Sequence, residues 1–283
     1  MTFGKTILYA CATLALVGVQ GAFGTTASAA ALWDEIKERG TVRIGMIPQR
    51  SCYYWRNSDN EDWKGFPVRM SNAAAEALGK EMGRELKVEW VPTSWTNVIL
   101  DMQSGKVDAF FGIGITDERK KAVDMFGPIY AVPSVLVVRK DSTIGNTWDD
   151  LNKPEIRITT SMGSTEEAVA KQNAPKAQLR LMQNGELALL DVQSGNADVQ
   201  LETAITGLAG ATKAGNLKLL LLDPYTALGS GGALRKDGDG RLVDFMQKWG
   251  DEYRNSGALQ TSVVESLKEC GLDVNMLPEG TKF

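Results

Sequence analysis

The stretch LDMQSGKVD, residues 100–108, returns as LDVQSGNAD, residues 190–198, ninety residues further on. Six of the nine positions are identical. Each copy ends a helical pattern with Ser-Gly, a common helix stop, and leads into a short apolar strand. One motif used twice in one structural context predicts two similar lobes. Strands and amphipathic helices alternate around both copies. TVRIGMI (41–47), LKVEWVP (86–92), VDAFFGIG (107–114), PSVLVVRK (133–140), IRITTSMG (156–163), ADVQLET (197–203) and LKLLLL (217–222) read as strands. Between the first two, GFPVRMSNAAAEALGKEMG (65–83) places Val68, Ala74, Leu78 and Met82 on one helical face. This alternation is the pattern of an α/β fold. Open α/β sheets bind ligands beyond the carboxyl ends of their strands. The loops after the two repeats, Gly112–Arg119 and Glu202–Thr203, are therefore where a ligand is expected.

Composition narrows the function. The chain has 283 residues, a formal net charge of −4 and no histidine. The usual general base and the commonest metal ligand are thus missing, and no metal or cofactor is expected. A mildly acidic chain without a basic run is a poor partner for nucleic acid or anionic lipid. At the start, Lys5 precedes an apolar run over residues 7–23, and Ala27 and Ala29 stand in A-x-A register. Residues 1–29 therefore read as a secretory signal peptide, with a lipoprotein reading through Cys11 as the alternative. Export would leave Cys52 and Cys270 in an oxidising compartment, where they could pair.

Three stretches carry chemistry. In FFGIGITDERKK, Gly112 and Gly114 remove side chains at a strand edge, which lets a ligand approach backbone N–H groups. Thr116 is a candidate N-cap, and Arg119 falls at the third helical position, where it could grip a carboxylate with two parallel hydrogen bonds. A solvated arginine paired with a neighbouring acid is the plainer alternative. In TSMGSTEEAVAK, Ser164 and Glu167 form a capping-box pattern, so Ser164, Thr165 and the free N–H groups behind Gly163 make an anion-friendly helix start. In ADVQLETA, Glu202 could receive an ammonium group. Aromatic residues Tyr53, Tyr54 and Trp95 could cover a ligand side chain; a cleft role is expected for Trp95 and one of the two tyrosines.

At these residues the chain resembles the periplasmic polar amino-acid-binding proteins of ABC importers, extracellular solute-binding family 3. GTVRIGM, GFPVRMSNAAAEALG, LDMQSGKVDAFF, ITDERKKAVDMFGPIY, MGSTEEAV, LLDVQSGNADVQLET and GGALRKDG follow in family order, and residues 115–130 are the most specific. The resemblance implies a two-lobed, type II Venus-flytrap fold with crossings near Val132–Ser134 and Ser230–Gly232. Lobe 1 would comprise residues 30–132 plus 232–283, and lobe 2 residues 133–231. It implies a non-catalytic, monomeric protein that delivers a zwitterion to a membrane permease. Arg119 would clamp the ligand carboxylate with help from Gly114 and from Ser164 or Thr165. Trp95 would stack over the ligand, and the loop of Arg50, Tyr53 and Tyr54 would set specificity. Three positions depart from the family. Gly114 stands where a hydroxyl is common. Thr203 stands where the ammonium-binding Asp is expected, with Glu202 one residue early, so either could occupy that subsite. Arg50 stands near an expected aromatic, where it could pair with Glu202 or with an acidic ligand. A dehydratase-like enzyme and a ligand-delivering sensor are the alternative readings of the same scaffold.

Overall fold

The computed structural model describes residues 1–2, 30–48 and 52–279. The expected signal peptide, Cys11 and Arg50 lie outside the described residues. The unit Ala31–Phe283 carries all the elements. In chain order they are α1 (Leu32–Arg39), β1 (Thr41–Met46), α2 (Phe66–Met82), β2 (Lys87–Pro92), α3 (Val98–Gln103), β3 (Ala109–Gly114), α4 (Asp117–Ala122) and β4 (Asp124–Arg139). There follow α5 (Trp148–Leu151), β5 (Arg157–Ser161), α6 (Thr165–Asn173), β6 (Gln178–Met182), α7 (Gly185–Gln193), β7 (Val199–Thr203), α8 (Ala204–Ala214) and β8 (Leu217–Leu221). The last three are β9 (Ala227–Leu234), α9 (Arg241–Asn255) and α10 (Ala258–Glu269). No helix among the described residues is long and apolar enough to cross a membrane.

The strands run in the order β2-β1-β3-β9-β4-β7-β5-β6, and β8 pairs with the second half of β4 along the edge opposite β7. At one end β1 pairs in parallel with β2 and β3; at the other β5 pairs in parallel with β6 and β7. Between them, antiparallel β4 and β9 join the two halves. Tyr130–Pro133 lies against Ser230–Ala227, and from Ser134 onward β4 pairs with β7. The expected strand at 133–140 is thus only the second half of β4. Its first half, from Asp124, is recruited by pairing with β9, a non-local partner that sequence periodicity does not reveal.

The repeated motif has a physical role. Its final aspartate bonds back to the first strand of its own half. Asp108 donates its N–H to the Arg43 carbonyl (2.9 Å), and its carboxylate accepts from the Arg43 backbone (2.8 Å), Nη2 (2.7 Å) and Nε (3.2 Å). Asp198 repeats this on Arg157: backbone to carbonyl at 2.9 Å, backbone to carboxylate at 2.9 Å, Nη2 at 2.6 Å and Nε at 3.0 Å. Asp108 takes a further bond from Arg39 Nη2 and is fully buried. Each clamp fixes the register between the first and third strands of its half, so the loops beyond them share a position. Helix α2 buries Val68, Ala74, Leu78 and Met82 together with Phe66 and Met70. At roughly 1.5–3 kcal/mol per large apolar side chain, that face holds α2 on the sheet.

Candidate functional site

A cavity lies at the carboxyl ends of β3, β5 and β7 and the first turns of α6 and α8. Of the residues expected from the sequence, Tyr53, Trp95, Gly112, Gly114, Ser164, Thr165, Glu202 and Thr203 line it. Ser161, Glu166, Thr206 and Ser230 complete the wall.

On the β3 side, Gly112 has φ +78° and interrupts the pairing with β9, where the register shifts between Phe111 and Ile113. A Cβ there would stand 2.8 Å from Tyr53 Oη and 3.2 Å from Tyr130 Oη. The missing side chain thus admits a phenol pair. Tyr53 donates to the Gly112 carbonyl (3.0 Å), and the two hydroxyls bond each other. Tyr54 points the other way, into the core, where its hydroxyl donates to the Phe111 carbonyl at 2.5 Å. It does not reach the cavity. Apolar packing against Phe110 has claimed its ring. The loop carrying both tyrosines is tied by a disulfide from Cys52 to Cys270 at the end of α10, with Cα atoms 5.7 Å apart.

Thr116 caps α4 by accepting from the Arg119 N–H (3.2 Å) and does not line the cavity, because the cap turns its hydroxyl into the helix start. Arg119 is buried just behind the wall. Nη1 donates to the Gly114 carbonyl (2.8 Å) and Nη2 to the Gly163 carbonyl (3.1 Å). Its guanidinium therefore stitches the end of β3 to the turn before α6. Burial pushes its pKa down, and the charges of Glu166 and Glu118 act against that fall. That turn is close: a Cβ on Gly163, whose φ is +78°, would lie 2.9 Å from the Trp95 backbone carbonyl. Trp95 itself stands edge-on to Phe110, ring centres 5.8 Å apart.

On the α6 side, Ser164 caps by accepting from Glu167 N–H (3.2 Å). The box closes differently from the sequence pattern: the Glu167 carboxylate accepts from Gly163 N–H (2.6 Å), one residue before the cap. Glu166, which sequence reading passed over, turns inward and is buried. It accepts from Thr165 Oγ1 at 3.0 Å. Burial raises its carboxyl, opposed by its own N–H, the Thr165 hydroxyl, the Arg119 charge and the Ser164 hydroxyl. In sequence the capping-box spacing gives a role to Glu167 alone, and only the packed backbone shows that Glu166 turns inward.

On the β7 side, Glu202 accepts from the Thr203 N–H at 2.8 Å. Burial first and the neighbouring Glu166 second push its carboxyl up to about 8. Thr203 is the N-cap of α8, yet its hydroxyl makes no cap bond and has no partner. Both candidates for the ammonium subsite therefore line the same wall.

Residues 42–265 match the family model of the bacterial extracellular solute-binding proteins, family 3. The chain belongs to this family. Its type II, two-lobed α/β architecture is that of the solved family structures. One of these, an ancestral amino acid-binding protein described as a precursor of cyclohexadienyl dehydratase, is 31% identical with a TM-score of 0.70. The likeness covers 82% of this chain and 97% of that one. The glutamine-binding protein of Geobacillus stearothermophilus is 29% identical over 166 residues, 58% of this chain and 62% of its own length. An ABC transporter glutamine-binding protein of Bacillus subtilis is 26% identical over 260 residues, 86% of this chain and 93% of its own.

Proposed function

We propose that this protein captures an amino acid, or a similar zwitterion, in the cavity between its two lobes and delivers it to an ABC-transporter permease. The observation that carries this is the placing of a cation and a carboxyl group about one cavity: the Arg119 guanidinium behind the β3–α6 wall, and Glu202 with the unpartnered Thr203 hydroxyl on the β7 wall. A ligand carboxylate would take over the guanidinium bonds now made to Gly114 and Gly163, with Ser164 and Thr165 beside it. An ammonium group would bond Glu202 and Thr203 across the cavity. Charge-assisted bonds contribute about 1.5–3 kcal/mol each, so three or four give useful affinity. Lobe 1 is residues 30–132 plus 232–283 and lobe 2 residues 133–231, with the adjacent β4 and β9 segments as hinges. Residues 1–29 direct export to the periplasm. The relatives named as glutamine-binding and amino acid-binding proteins support this reading.

A second reading follows from Glu202, whose raised carboxyl keeps a proton near neutral pH as a general acid must. With a relative described as a precursor of cyclohexadienyl dehydratase, the same cavity could serve an elimination. Binding without turnover is the preferred function. A thermal-shift screen against amino acids tests it, because a ligand held only by the folded state raises the melting temperature by mass action. A shift with an amino acid supports binding. Loss of a cyclic dienyl acid on incubation would transfer the assignment to the enzyme.

A further inference from the structure

The cavity holds more carboxyl groups than a neutral amino acid would pair. Two carboxylates, Glu166 and Glu202, line it. Among the described residues, no lysine or arginine nitrogen stands within ion-pair distance of either, although nineteen such pairs occur elsewhere in the molecule. The nearby cation, Arg119, gives two donors to backbone carbonyls. Glu166 faces Arg119 from α4, Tyr53 from the disulfide-tied loop, Tyr130 from β4, Glu202 from β7, and the Ser164 and Thr165 hydroxyls of its own helix. Glu202 faces Glu166, the Thr203 N–H and, at a long 3.4 Å, the Gln200 side-chain amide.

The balance then follows by group. A neutral amino acid brings one carboxylate to Arg119 and one ammonium to Glu202. Glu166 would stay buried with hydroxyls for company and no cation within ion-pair distance, which is costly for the charged form of a carboxyl group. An acidic ligand would add a third carboxylate to the cluster. We infer that the cavity selects an amino acid whose side chain carries a second cation, an ammonium or guanidinium, received by Glu166. This rests on the reading of the cavity as an amino-acid site. Burial raises the carboxyls of both Glu166 and Glu202, and a cation placed beside them would favour their charged forms. Capture of a cationic ligand therefore favours loss of protons from these carboxyls, and its affinity rises with pH through the range near 8 where Glu202 ionises.

Titration calorimetry on the purified protein tests this with L-lysine, L-arginine, L-glutamine, L-glutamate and cadaverine, each between about pH 6 and 8.5. L-Lysine or L-arginine is expected to bind at least about 10-fold tighter than L-glutamine, with L-glutamate weaker still. The preferred ligand should tighten as pH rises. Glu166→Gln should weaken it at least about 10-fold and narrow its advantage over L-glutamine. If L-glutamine equals the basic amino acids, or Glu166→Gln leaves their affinity intact, the inference is overturned while the amino-acid reading stands. If cadaverine equals L-lysine, selection for positive charge is upheld and the carboxylate clamp fails. If none of the five binds, both fall. The wild-type panel decides the matter even if the variant folds poorly.

Discussion

Replacing Gly114 by alanine puts the closeness of the two cavity walls to the test. A Cβ at Gly114 would lie 2.6 Å from Thr165 Cγ2 on α6 and 2.8 Å from Leu228 Cδ2 on β9. Carbon atoms are comfortable at about 3.5–4.0 Å, so the added methyl needs about 1 Å that this arrangement lacks. Thr165 cannot yield easily, because its side chain is short, branched and engaged with Glu166. The walls must part instead. Parting lengthens the Arg119 bonds to Gly114 (2.8 Å) and Gly163 (3.1 Å) together. Overpacking of this kind costs about 1–3 kcal/mol. If, as the proposed capture requires, the lobes part to admit ligand, the cost falls on the state in which the walls meet and reads out as a loss of ligand affinity of about 5- to 150-fold. Calorimetric titration with the tightest-binding amino acid measures it, and the melting temperature without ligand should move little. Affinity within two-fold of wild type would refute the reasoning, since it would mean that ligand is held with the walls apart.

Other perturbations address the fold and the carboxylates. Asp108→Asn should destabilise the chain by about 3–5 kcal/mol, because it leaves Arg43 and Arg39 facing a neutral group at a fully buried position. Asp198→Asn, the same motif position in the second half, should cost only about 1–2 kcal/mol, because Asp198 is 25% exposed and serves one arginine. Urea unfolding ranks the two, and the reverse order would contradict the role given to the repeat. The Cys52–Cys270 bond closes a segment of 218 residues, so Cys52→Ser with Cys270→Ser should cost about 5 kcal/mol on a chain-entropy basis; chemical denaturation checks this. Glu202 holds its proton in the folded state up to about pH 8, whereas the unfolded chain releases it near 4.5. Stability without ligand should therefore fall as pH rises through that window, by up to about 1.4 kcal/mol per pH unit. Glu202→Gln should flatten the fall, which melting curves across the window would reveal.

The two-lobed plan was legible because it is written locally and twice. The aspartate ending each repeat makes the same set of bonds to its own first strand, and spacing alone pointed to that equivalence. Caps were legible for the same reason: Thr116 and Ser164 act within three residues of themselves. What stayed hidden depends on distant partners. The first half of β4 is a strand because β9 lies beside it. Capping-box spacing marked Glu167, but nothing on paper marked Glu166, whose place shows only when the cavity forms around it. Tyr53 and Tyr54 are adjacent on paper; backbone direction sends Tyr53 to the cavity wall and Tyr54 into the core. Its helix-start position and the resemblance both singled out Arg119 for the ligand; in the folded chain it bonds two carbonyls, so the proposed role in binding would be an exchange of partners.

That exchange is where the account is most directly exposed. Arg119→Ala, titrated calorimetrically beside the wild type with the amino acid that shifts its melting temperature most, should lose at least about 100-fold in affinity. Unliganded Arg119→Ala should still unfold in one cooperative transition. Binding that survives within a few-fold would contradict the carboxylate clamp and, with it, the assignment of this cavity as an amino-acid site.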